Sequence, residues 1–142
     1  MKNISTNQKD LAMIKNYFIK EDLLIDTDNP SIIYGDLMLN NEQLKQLPET
    51  FGSLIVEGDL NLSENQLTSL PEGFGALTVG GSLNLSQNQL TSLPENFGSL
   101  KVDRDIRLND NLLKNLPDSF GNLEYIDGHL MLHHKQFCYD IV

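Results

Sequence analysis

The chain has a single cysteine, Cys138, among 142 residues. A lone thiol forms no internal disulfide, which fits a reducing compartment. Long apolar runs are missing as well. No stretch approaches the roughly 18 apolar residues needed to cross a membrane. The opening segment, MKNISTNQKDLAMIKNYF, carries early lysines but no continuous apolar run and no small-residue cleavage site, so no signal peptide is read there. The expected location is the cytoplasm, with delivery into a host cell by a route that needs no cleaved signal left open. Basic residues are scarce: 10 Lys and Arg stand against 20 Asp and Glu, a formal net charge of −10. Such a chain repels nucleic acid and anionic membrane and is drawn to basic or mixed protein surfaces, although the same acidity also serves solubility. Catalytic signatures are lacking too. There is no glycine-rich phosphate loop, no Ser/His/Asp spacing and no pair of carboxylates in an expected cleft, so the chain reads as a non-enzyme with no cofactor.

What is present suffices for one folded domain. Hydrophobic residues make up 39% and charged residues 21%, with a mean hydropathy of −0.27. The dominant feature is repetition. From Gly35 the chain reads GDLMLNNEQLKQLPETFGSLIVE, from Gly58 GDLNLSENQLTSLPEGFGALTVG, and from Gly81 GSLNLSQNQLTSLPENFGSLKVD. A fourth copy, RDIRLNDNLLKNLPDSFGNLEYID, starts at Arg104, and a partial fifth, GHLMLHHKQF, starts at Gly128. The steps are 23, 23, 23 and 24 residues, and the second and third copies share 17 of 23 positions. A fixed period of this length decides the architecture before any local reading.

Each recurring position has a physical duty. The pairs Leu37/Leu39, Leu60/Leu62, Leu83/Leu85, Ile106/Leu108 and Leu130/Leu132 alternate with polar residues, the period of a short strand with one buried face. Leu44, Leu67, Leu90 and Leu113, then Leu47, Leu70, Leu93 and Leu116, point inward from the return path. Phe51, Phe74, Phe97 and Phe120, each followed by glycine, fill the wide outer part of the core, and Leu54, Leu77, Leu100 and Leu123 lead into the next strand. One coil cannot bury its own apolar face, whereas stacked coils share a continuous core.

The pattern LxLxxNxLxxLPxxF over residues 35 to about 137 resembles the leucine-rich-repeat family, in a form similar to bacterial and phage-type proteins. The resemblance implies an α/β solenoid. Its arc carries about five parallel strands on the concave face and short turns or helical pieces on the convex face. It also implies an Asn ladder, here Asn65, Asn88 and Asn111, whose amides satisfy backbone groups at the bend after the strand. Glu42 and Lys135 replace the Asn at the two ends, as terminal repeats do. The whole chain, 1–142, then reads as one domain: a cap over 1–34, four full repeats over 35–127, and a partial repeat with its own cap over 128–142. The first cap is expected to be helical from about Asn7 to Ile25, with Asn7 as N-cap, Asp10 in the first turn and Leu11, Ile14 and Phe18 on one face. DTDNPS, residues 26–31, reads as a turn. The last cap is expected to be an edge strand carrying Phe137, Tyr139 and Ile141.

The resemblance places the binding surface on the concave sheet. Its outward positions include Asp36 and Met38 in the first coil, Asp59, Asn61, Ser63 and Glu64 in the second, and Asn84 and Ser86 in the third. Asp105, Arg107 and Asp110 follow in the fourth, and His129, Met131 and His133 in the fifth. Tyr34 is read beside Met38. Five strands at ~4.8 Å make a face roughly 20 Å long, enough for a contact near ~800 Å² per partner if the rims join in. Departures from consensus collect at the ends, and Met, Tyr and Arg are the types enriched at interface centres. The C-terminal half of the face is therefore the expected site.

Three other signals have simpler readings. Glu49, Glu72, Glu95 and Asp118 follow the LP of successive coils. They either imitate a phosphate backbone or, the structurally simpler reading, sit at the start of short helical turns where an acid is favoured. His129 and His133 are four apart on a strand, ~13 Å, so no metal site is read. Cys138-Tyr139-Asp140 spells the CxD that follows such repeats in one group of bacterial ubiquitin-ligase effectors, but no base or carboxylate set accompanies the thiol. The function expected is a non-catalytic protein-interaction module working through its concave, acidic face. The alternative is a stand-alone acidic inhibitor of a nucleic-acid-handling enzyme, of the anti-defence or anti-CRISPR-like phage kind. Self-association through an uncapped sheet edge or the Met-bearing concave face is a further reading.

Overall fold

The computed structural model of the chain describes residues 24–25, 32–123 and 128–132. Two five-stranded sheets run along the stack of coils. The first contains β3 (Leu37–Met38), β5 (Leu60–Asn61), β7 (Leu83–Asn84), β9 (Ile106–Arg107) and β10 (Leu130–Met131), all parallel and in that order. These are the strands expected from the alternating leucines, and the register pairs equivalent positions of neighbouring copies. The second sheet is built from β1 (Leu24–Ile25), β2 (Ile32–Tyr34), β4 (Ile55–Val56), β6 (Thr78–Val79) and β8 (Lys101–Val102). Here β1 runs antiparallel to β2 and the rest are parallel. The repeat did not announce this second sheet.

Return paths carry short 3-10 turns rather than α-helices: η1 (Glu49–Ser53), η2 (Glu72–Ala76), η3 (Phe97–Ser99) and η4 (Asp118–Asn122). Among the described residues there is no α-helix. Leu24 and Ile25 pair with Tyr34 and Ile33, so these two residues, expected in a helix running to Ile25, are in a strand instead. The physical reason is that Ile32 and Ile33, both β-branched, start a strand whose free edge the 24–25 backbone can pair with. The rest of that helix, the turn at 26–31 and the terminal strand at 137–141 lie outside the described residues.

The core is one cluster. Every leucine of the strand pairs from Leu37 to Leu108 is 2% exposed or less, and Phe74 and Phe97 are fully buried. Burying a side chain of this size contributes about 1.5–3 kcal/mol, so each added coil stabilises its neighbours. The phenylalanines stack in register: Phe51–Phe74 and Phe74–Phe97 are 6.2 Å apart and Phe97–Phe120 5.9 Å, with ring planes within 7° of parallel. Near-parallel rings mean that successive coils are related almost by translation, so these separations are the local pitch. Hydrogen-bonded strands sit closer, at ~4.8 Å. The stack therefore curves with its sheets inside and its 3-10 turns outside.

Buried polar ladders tie coil to coil. Asn65 Oδ1 accepts from the N–H groups of Glu42 and Leu44, both at 3.0 Å, while its Nδ2 donates to the carbonyls of Leu39 and Leu62 at 3.0 and 2.9 Å. Asn88 bonds Leu67, Leu62 and Leu85 in the same way, and Asn111 bonds Leu90, Leu85 and Leu108. This is the duty expected of the Asn positions. The bend beside them is left-handed: Asn41, Glu64, Gln87 and Asp110 have φ of 56°, 57°, 55° and 61°.

Candidate protein-binding face

The inner sheet sets side chains in rows, because strand register places equivalent positions side by side. The central row is Met38, Asn61, Asn84, Arg107, Met131. Met38 and Met131 are 37% and 42% exposed, and Arg107 is exposed as well. The two asparagines between them are half-buried and occupied. Asn61 Oδ1 accepts from both the N–H and the hydroxyl of Ser63, at 3.0 and 2.6 Å, and Asn84 holds Ser86 identically. Ser63 and Ser86, expected on the surface, are consequently buried at 5% and 6% exposure. A serine that folds its hydroxyl back onto the preceding strand residue has little to offer a partner.

The row before it has a role that a surface reading misses. Asp36 Oδ1 accepts the N–H of Asp59 at 2.8 Å, and Asp59 Oδ1 accepts that of Ser82 at 2.8 Å. Ser82 Oγ accepts from Asp105 at 3.3 Å, and Asp105 Oδ1 from His129 at 2.8 Å. Each side chain caps the strand entry of the next coil. An aspartate in the second position of three of the five copies was the signal available in the sequence. Asp105 is also flanked by two side chains: Arg107 lies 3.6 Å from Oδ2 and the His129 imidazole Nδ1 3.4 Å from Oδ1. The His129 backbone N–H, foremost, and then His129 and Arg107 hold the Asp105 carboxyl below the usual carboxylate range, against a smaller opposing effect of burial.

Tyr34 falls elsewhere. It belongs to β2 in the second sheet, not to the row of Met38, because Gly35 and Asp36 separate the two strands. Glu64 and Asp110 are exposed at the left-handed bends, and His133 lies outside the described residues. The structure thus brings Asp105, Arg107, His129 and Met131 together at the C-terminal end, with Asp110 at the bend of the same coil.

Comparison with known proteins agrees with this geometry. The Leucine Rich Repeat family model matches residues 59–77 and 82–100. Six solved chains resemble the structure significantly. One is YopM from Yersinia enterocolitica WA-314, with a TM-score of 0.50 and 26% sequence identity over 92% of this chain. The chain is a leucine-rich-repeat protein. It spans 25% of the length of that YopM chain. Among curated protein sequences none matches it significantly. A leucine-rich-repeat stack of this kind is a protein-interaction scaffold. Among the described residues no cluster of three or more His, Cys, Asp or Glu is arranged to hold a metal ion, and no helix is long and apolar enough to cross a membrane.

Proposed function

We propose that the protein is a non-catalytic interaction module that binds a protein partner on its inner sheet, centred on Arg107 and Met131. The observation that carries this reading is how hydrogen-bonding capacity is distributed along the central row. Asn61 and Asn84 spend theirs on Ser63 and Ser86, whereas Arg107 has five donors and one carboxylate beside it at 3.6 Å. Met131 adds exposed, adaptable apolar surface in the next position of the same row. The acids Asp105 and Asp110 beside them suit a partner of basic or mixed charge.

The test is a pull-down from host lysate with wild type and with Arg107→Ala/Met131→Ala, washed at low and at high salt. A partner that resists salt and disappears with the double variant supports the reading. A partner that survives the substitutions but elutes with modest salt removes this site. That outcome favours the second reading, an acidic inhibitor of a nucleic-acid-handling enzyme, for which the specific observation is the net charge of −10.

A further inference from the structure

The chain passes from the second sheet to the inner sheet through a short corner in each coil, and one corner differs from the rest. The stretches 32–38 and 55–61 carry acids and no base, and 78–84 carries no charged residue. The equivalent stretch 101–107 carries Lys101, Arg104 and Arg107 against Asp103 and Asp105. All three cations are exposed: Lys101 on β8 of the second sheet, Arg104 at the corner itself and Arg107 on β9 of the inner sheet. Among the described residues neither Lys101 nor Arg104 is in an ion pair, while Asp105 is committed to the His129 N–H and to Arg107.

The stack gives up local order to hold Arg104. The other coils have Gly35, Gly58, Gly81 and Gly128 at this position. A Cβ on Gly58 or Gly81 would stand 2.2 or 2.1 Å from the carboxylate oxygen of Asp36 or Asp59, the acid that caps that strand entry. Arginine stands only where the preceding coil has Ser82 in place of that aspartate, with its oxygen one bond nearer its own backbone. The exchange lengthens three hydrogen bonds. Ser82 Oγ accepts the Asp105 N–H at 3.3 Å, against 2.8 Å for both aspartate caps before it. The Arg104 N–H reaches its carbonyl at 3.1 Å, against 2.9 Å for those of Gly58 and Gly81. The Asp103 N–H does so at 3.1 Å, against 2.9 and 2.7 Å for Glu57 and Gly80. Packing of the coils therefore favours aspartate and glycine here, and a duty outside the stack accounts for the arginine.

Charge then selects the occupant. Lys101, Arg104 and Arg107 are three residues apart along near-extended backbone, a span of about 20 Å at most. Gly81 and Gly128 lie on either side of Arg104, so no side chain screens its guanidinium along the stack. That planar fork matches a carboxylate through two parallel hydrogen bonds. The chain as a whole carries −10 and repels an anionic ligand elsewhere, so attraction is confined to this corner. A nucleic acid would carry its phosphates past the corner onto the surrounding acids, whereas a short acidic peptide segment does not. We infer that the corner docks an acidic segment of a partner protein, its Asp or Glu carboxylates pairing with Lys101, Arg104 and Arg107 as it passes from the inner sheet onto the second. This docking site shares Arg107 with the inner-sheet reading and rests on that reading only there.

The test titrates the isotope-labelled full chain with the peptide Glu-Ser-Ser-Glu-Ser-Ser-Glu at about 50 mM salt and follows backbone amide NMR shifts. Saturable shifts are expected at 101–107. Lys101→Thr/Arg104→Gly gives this corner the residues of the one before it, Thr78 and Gly81, and should weaken binding by about tenfold for two exposed ion pairs. The amide spectrum itself verifies that the variant is folded. Arg107→Ala/Met131→Ala should weaken binding by only about threefold and keep the shifts at 101–104. Ser82→Asp/Arg104→Gly restores the pairing of the other coils and should raise the urea midpoint. Shifts centred away from the corner, unchanged affinity in Lys101→Thr/Arg104→Gly, or a lower midpoint in Ser82→Asp/Arg104→Gly each overturn the inference. So does a short oligothymidylate that binds the corner more tightly than the peptide, which makes the ligand a nucleic acid. Loss of binding in Arg107→Ala/Met131→Ala alone assigns the peptide to the inner sheet and also overturns it. The pull-down decides the inner-sheet reading separately, because it scores a host partner and not this peptide.

Discussion

Gly75 and Gly121 occupy the same place in two coils, directly after a buried phenylalanine, yet the structure assigns them opposite sensitivities. A Cβ on Gly75 would stand 2.0 Å from the Asn96 carbonyl oxygen and 2.7 Å from its carbon. Ordinary contact begins near 3.4 Å, and the obstacle is backbone of the next coil, which cannot swing aside as a side chain does. The coils must part, pulling Phe74 away from Phe97, now 6.2 Å from it. Overpacking of this sort costs about 1–3 kcal/mol, and contact with backbone argues for the upper end. The alanine restricts the unfolded chain and returns about 0.4–1 kcal/mol. Gly75→Ala should therefore lose about 2 kcal/mol, or about 1 M in urea midpoint for an m-value of ~2 kcal/mol/M. Gly121 has no described atom within 4 Å of such a Cβ, so Gly121→Ala keeps the unfolded-state gain and should raise stability by about 0.4–1 kcal/mol. Urea titrations followed by circular dichroism at 25 °C compare them directly. Equal midpoints for the two variants would refute the close-approach argument.

Asn88→Ala removes an acceptor from the Leu67 N–H and a donor from the Leu62 and Leu85 carbonyls in a site 6% exposed. Buried groups left unpaired cost about 1–3 kcal/mol each. A total loss of about 3 kcal/mol is expected, with faster amide exchange at Leu67, and a loss under about 1 kcal/mol would sink the ladder account. Asp105 gives a pH prediction. Its folded-state pKa is lowered, so its contribution is fully present above the unfolded value near ~4 and is lost as pH falls through the folded value below it. Urea midpoints at about pH 7 and pH 3 should differ less for Asp105→Asn than for wild type, and an identical pH dependence would contradict the assignment.

Much of this was legible because the coil is a local pattern repeated. The strand leucines, the phenylalanine stack and the Asn ladder each show in one 23-residue copy and are confirmed by the next. The second sheet was less visible although its strands are no shorter than those of the first. Its trace is the run Leu77-Thr78-Val79, whose alternation matches Leu60-Asn61-Leu62 but was absorbed into the approach to the following strand. The Asp36–Asp59–Ser82–Asp105 ladder escaped for a different reason. Its hydrogen bonds reach 23 residues along the chain, so an aspartate beside its own strand looks like a surface acid. Tyr34 follows the same logic: a one-sheet pattern sets the residue before Gly35 beside Met38, whereas it ends a strand of the other sheet.

The acidity of the chain accordingly divides into sets with different duties. Asp36, Asp59 and Asp105 each commit one oxygen to a neighbouring coil, so replacing them weakens the stack as well as the surface. Glu64 and Asp110 sit where the backbone turns left-handed, and a substitution there also alters the bend. Glu42, Glu57 and Asp103, like Glu49, Glu72, Glu95 and Asp118 of the flank row, combine exposure with side chains that make no described hydrogen bond or ion pair. A loss of binding on removing an inner-sheet aspartate is therefore ambiguous between a missing contact and a loosened coil. Arg107 and Met131 avoid that ambiguity on the inner sheet, because neither supports another coil through a side-chain hydrogen bond.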